Sequence, residues 1–76
     1  MNKQRRKAIA DIMAQIDDLH SQIEDLRDEE QDAYDNLPEG LQEGEKGDSM
    51  LEAIDNLDSA LDSLEEANDY LSSASE

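Results

Sequence analysis

Two runs of apolar residues at alternating steps of three and four are separated by the only proline and all three glycines of the chain. The first run is Ile9, Ile12, Ile16, Leu19, Ile23 and Leu26, then Glu30 as an interruption, then Ala33 and Leu37. The second is Met50, Ile54, Leu57, Leu61, Leu64, Asn68 and Leu71. A spacing that averages 3.5 residues holds a narrow stripe on one side of an α-helix, which leaves little architecture open except helix against helix. Pro38 stops the first run, because it pushes the residue before it out of the helical region and has no backbone N–H to donate. The pattern predicts a first helix over about residues 4–36, a loop over 37–48 with room for one helical turn after Pro38, and a second helix over about 49–74. Ser49 followed by Glu52 forms a capping box that sets the second start, with Asp48 as the competing cap.

Folding the chain back at the loop pairs the two seams layer by layer. Leu37 meets Met50, Ala33 meets Ile54, Leu26 meets Leu61 and Ile16 meets Leu71, the residue numbers adding to 87 each time. The expected fold is all-α: an antiparallel two-helix coiled-coil hairpin. Asn68 reads as a buried polar residue that fixes register, and Glu30 as a place where the seam opens to water. At the open end Ile9 and Ile12 run out of partners, which leaves both exposed. Ala53, Ala60 and Ala67 form a smooth column beside the second seam where another helix could approach. These five residues predict self-association of the hairpin into a homodimeric four-helix bundle.

Seventy-six residues make one small domain with a thin core. There is no Cys, hence no disulfide framework or thiolate metal site, and a single His rules out the usual imidazole sets. The basic start, Met1 to Lys7, is followed by no apolar h-region, and no stretch approaches the roughly 20 apolar residues of a membrane span. An intracellular, cytoplasmic protein is expected, with no membrane contact and no cofactor. High net charge and only two aromatic residues also describe intrinsic disorder, but the heptads argue against it.

Charge is the second constraint. Lys3, Arg5, Arg6 and Lys7 form a basic N-terminal arm, and only Arg27 and Lys46 follow, against 22 carboxylates. Helical proteins ordinarily intersperse both signs, since like charges three or four apart destabilise a helix. On the first helix Asp11, Asp18, Asp25 and Asp32 lie seven apart in one column. On the second, Asp55, Asp58, Asp62, Glu65 and Asp69 follow steps of three and four along a solvent face. A rod about 40 Å long would carry one net charge per about 2 Å, near the one per about 1.7 Å of duplex DNA. This pattern fits a nucleic-acid mimic that occupies a basic protein surface; it also fits a merely solubilising surface. Direct nucleic-acid binding by the basic arm is not expected, because so negative a body would be strongly repelled. Neutralising Asp18, Asp25 and Asp62 would disable the mimic, whereas mutating Ile9 and Ile12 would disable a structural oligomerisation module.

The remaining candidates are weaker. Glu43, Glu45 and Asp48 lack the order of a calcium hand, so no metal site is expected. His20 reads as a solvated side chain with no nucleophile or orienting group beside it, and nothing else in the chain points to an enzyme. Tyr34 and Tyr70 read as packing or dimer contacts. The basic arm opposes the helix macrodipole and should fray or find acids nearby, with Asp69 and Glu76 in reach.

The string Asp28-Glu29-Glu30-Gln31-Asp32-Ala33-Tyr34-Asp35-Asn36-Leu37-Pro38-Glu39, with Arg5-Arg6-Lys7 before it and Ala53-Ile54-Asp55-Asn56-Leu57 after it, resembles short acidic proteins of phages, prophages and mobile elements of Gram-positive bacteria. The resemblance covers most of the chain and brings no catalytic motif. It implies an inhibitor of host defence or nucleic-acid machinery, of the anti-CRISPR or anti-restriction kind. The expected function is therefore non-enzymatic: blocking a basic groove of a defence or nucleic-acid-binding protein. The alternative is a coiled-coil oligomerisation module.

Overall fold

A cap that the heptad pattern does not announce begins the first helix. In the computed structural model, which describes Met1–Glu76, Asn2 is extended and its Oδ1 accepts from the Arg5 N–H at 2.8 Å. This bond satisfies one of the free donors of the first turn, and α1 then runs over Lys3–Asp35. The basic residues are thus its first turns and not a separate arm. Of them only Lys7 finds an acid, Asp11 on its own helix, at 3.2 Å.

Asn36 closes α1, its N–H bonding the Asp32 carbonyl at 3.1 Å and its Nδ2 the same oxygen at 2.9 Å. Pro38 follows, as the sequence predicts, and its carbonyl accepts the first bonds of α2 (Glu39–Gln42), a single turn. Gln42 Nε2 donates to the Tyr34 carbonyl at 2.9 Å and ties this turn to the end of α1.

The second long helix, α3, spans Glu45–Ala74 and starts about one turn earlier than the capping box implies. Its N-cap is Gly44, which offers no side chain, and Ser49 lies inside the helix. Two features favour the earlier start. Glu45 and Asp48 in the first turn complement the macrodipole. Gly47 is buried against α2, where a Cβ would overlap the Gln42 backbone. A glycine that reads as loop is in fact a close-packing residue of a helix.

α1 and α3 run antiparallel against each other in a rod whose Cα extents are 58 × 15 × 11 Å. Three side-chain contacts cross between them: Asp17 with Asn68, His20 with Glu65, and Arg27 with Asp58. Their residue numbers all add to 85. In a hairpin whose seam pairs add to 87, flanking residues on one edge meet two positions off level, so the predicted register holds; a slip of one heptad would have changed the sum by seven.

The core is as thin as the length implies. Only Ile54, Ile9 and Gly47 are buried. Ile16, Ile23, Leu57, Leu61, Leu64 and Leu71 are half-buried, whereas Ile12, Leu19 and Leu26 are 45 %, 48 % and 54 % exposed. Ile12 is exposed as expected, but Ile9 is not. No seam residue faces Ile9. Its neighbours one turn away on its own face are Arg5 and Met13, long side chains whose stems are able to cover it, and the half-buried Ser75 ends the opposite helix.

Candidate functional site

Helix periodicity sorts the nine acidic residues singled out by the sequence into two groups. Asp11, Asp18, Asp25 and Asp32 are all exposed and stand in one column of α1, about 10.5 Å apart at 1.5 Å per residue. Asp55, Asp62 and Asp69 are exposed in a matching column of α3. Asp48 belongs to that column too, one heptad before Asp55. The expected helix start at about residue 49, one turn late, leaves Asp48 in the loop; the unbroken seven-residue spacing was the available signal.

Asp58 and Glu65 do something else. They lie on the edge of α3 that meets α1, where Asp58 Oδ1 accepts from Arg27 Nε at 2.9 Å and Glu65 Oε1 sits 3.1 Å from His20 Nε2. His20 also has Glu24 3.8 Å from its other ring nitrogen, and its side chain is only 23 % exposed. His20 is therefore a half-buried clamp residue and not a solvated one: its flanking position aims the ring across the seam. Arg27 reaches Asp28 at 3.5 Å as well. The hydrogen bond to Asp58 and the charges of both carboxylates raise the Arg27 pKa above its ordinary value, against an opposing contribution from burial.

Two edges of unlike character result. One is clamped by the Arg27 and His20 pairs, and the α3 ladder runs beside it, each aspartate three or four residues from Asp58 or Glu65. The other edge is open. Leu19 lies there in a notch with Ala14, Gln15 and Asp18, and Leu26 in a second notch with Glu29, Glu30 and Leu57. The α1 ladder borders this edge, Asp18 accepting from Gln22 at 2.8 Å. Ala53, Ala60 and Ala67 are half-buried along its other side, and Tyr70 is 69 % exposed. The aspartate ladders thus follow opposite edges of the rod.

Within the seam, Asn68 Nδ2 donates to Asp17 Oδ1 at 2.7 Å while its own Oδ1 is shielded and accepts nothing. Half-buried Glu30 lines the notch beside Leu26. Tyr34 is half-buried near the loop.

The length of the rod revises the charge density. The 33 residues of α1 alone span about 50 Å, and with the α2 turn at the far end the rod reaches 58 Å instead of about 40 Å. The net charge of −16 of the whole chain is then spread at one per about 3.6 Å, roughly half the density of duplex DNA and close to the one per about 3.4 Å of a single strand.

No group of three or more His, Cys, Asp or Glu side chains converges in a way that would hold a metal ion. No helix is long and apolar enough to cross a membrane. The chain matches no family model, and no curated protein or solved structure is detectably similar to it.

Proposed function

We propose that this protein is a non-enzymatic acidic binding protein that lays its aspartate ladders along a basic groove of a nucleic-acid-binding or defence protein and blocks it, as a phage-type inhibitor would. The single observation that carries this reading is the display of Asp11, Asp18, Asp25 and Asp32, and of Asp55, Asp62 and Asp69, as exposed columns on two helices. Carboxylates held at fixed intervals bind a basic surface by releasing its counterions, as phosphates do. They also lose less conformational entropy on binding than carboxylates on a flexible chain. This charge spacing favours a groove built for a single strand over one built for a duplex. In this reading the hairpin works in the cytoplasm as a homodimer.

The test is differential capture from a bacterial lysate. Wild-type protein and a variant with Asp11, Asp18, Asp25 and Asp32 changed to Asn are immobilised side by side at low and high salt. The wild type is expected to retain basic nucleic-acid-binding proteins that a single-stranded oligonucleotide releases, and the variant to retain about tenfold less or below. Equal retention by both would overturn the ladder reading.

A second reading has one observation in its favour. The exposed Ile12, Leu19 and Leu26 fit a structural oligomerisation module whose acidity only keeps it soluble. In that case serine at Ile12 and Leu19 removes function, and the four asparagines leave it intact.

A further inference from the structure

The open edge of the hairpin is a stripe with an internal symmetry. Arg5, Ile12, Leu19, Leu26 and Ala33 recur every seven residues along α1. Its three large apolar members are each about half exposed, and Arg5 makes no ion pair within the chain. Leu19 is also the midpoint of α1, Lys3–Asp35. Turning a second copy over about a two-fold axis at the level of Leu19 sets Leu19 on Leu19 and Ile12 on Leu26. It also brings Arg5 level with Ala33, next to Asp32 and Glu29, both exposed. The stripe is complementary to itself in shape, length and charge when reversed.

From this geometry we infer that the open edge is an isologous dimer interface in which α1 packs antiparallel against α1 of a second copy, with Arg5 of each copy placed against the acidic turn around Asp32 of the other. The inference rests on the self-association included in the proposed function and adds the face and the direction. Charge selects the direction. The other way to stack two such hairpins sets α1 on α3 of the partner and gathers both basic ends at one end of the bundle, leaving both loop ends wholly acidic. The reversed stack sends each basic end to a loop end, where attraction replaces repulsion. The stripe is also long: from Arg5 to Ala33 it follows about 42 Å of α1, at 1.5 Å per residue. The opposite edge is closed by the Arg27 and His20 pairs and offers no comparable apolar surface.

The experiment combines sedimentation equilibrium with one distance. Spin labels are placed on Ala8→Cys, an exposed site in a chain with no other cysteine. The expected result is a dimer with the two labels about 33 Å apart along the axis, because residue 8 lies level with residue 30 of the partner at 1.5 Å per residue. A dimer with labels within about 15 Å would overturn the direction while leaving self-association standing, and a monomer at tens of micromolar would overturn both. Leu19→Lys and Ile12→Lys are expected to give monomers; Ile12 stands level with Ser75, beyond the last apolar seam residue of α3, so the second keeps its helix content even if the first does not. A dimer unchanged by Ile12→Lys would remove the stripe from the interface. Arg5→Glu separates the interface from the helix: a first-turn acid favours the macrodipole, so helix content should hold or rise while the dimer weakens about tenfold, and an unweakened dimer would refute the cross-copy contact.

Discussion

Asn68 stands on the seam between Leu64 and Leu71, where an apolar side chain would pack best, and spends one of its polar atoms on Asp17 while the other accepts nothing. A shielded acceptor without a donor costs free energy, and the gain on this side is one bond to an exposed carboxylate. Asn68→Leu is therefore expected to raise the unfolding free energy by about 1 kcal/mol in urea or thermal denaturation at fixed protein concentration. A loss of similar size would show that the Asp17 bond outweighs the unpaired oxygen. Polar seam residues of this kind fix register, and the leucine variant should tolerate slipped pairings that the native chain rejects. The clamps are the other lesson at this scale. With seam pairs adding to 87, the opposition of His20 to Glu65 and of Arg27 to Asp58 was already contained in the register. The steps of three and four alone present the acids of the second helix as one solvent-facing ridge and do not separate Asp58 and Glu65, which look across the seam. Ile9 shows the reverse difficulty, since it is buried although the pairing arithmetic provides no seam residue opposite it.

The long helices were legible because heptads and a proline are strong signals: Ile9 to Leu26, Ile54 to Leu71 and Pro38 place α1, α3 and the turn between them. The start of α1 at Lys3 falls within a residue of its expected place, although its cap, Asn2, precedes a turn with no apolar residue and is not announced by the periodicity. At the other start, Ser49 and Glu52 fit a capping box, yet α3 begins at Glu45 because the glycine at 47 lets the helix lie directly on the Gln42 backbone. Glycine was counted as a breaker when its missing side chain was what mattered. Gly47→Ala tests this account directly. In an open helix the change would stabilise by up to about 1 kcal/mol through propensity. Against α2 it is expected to destabilise by about 1–3 kcal/mol, since backbone has to move to admit the methyl group. Gly40, with nothing near its Cβ position, is the internal control and should not destabilise when changed to alanine.

For the molecule as a whole, a net charge of −16 on a rod of this size is a self-repulsion that two cross-helix clamps do not offset. Spacing softens the cost. Neighbours within a ladder stand about 10.5 Å apart, beyond the roughly 8 Å screening length at physiological ionic strength, so each ladder is largely screened within itself there. Lowering the salt to about 0.01 M extends that length to about 30 Å and couples both ladders. The thermal midpoint at fixed protein concentration is therefore expected to rise steadily from low to moderate salt, and a falling midpoint would mean that attraction governs the fold. The same columns that burden the hairpin are what a basic surface would read, provided that the helices exist before the partner arrives. Ordered display ahead of binding is the premise of the ladder reading. It is tested most directly by far-ultraviolet circular dichroism of the isolated chain in physiological buffer. The account predicts a spectrum close to 88 % helix with no partner present, and a spectrum dominated by coil would contradict it.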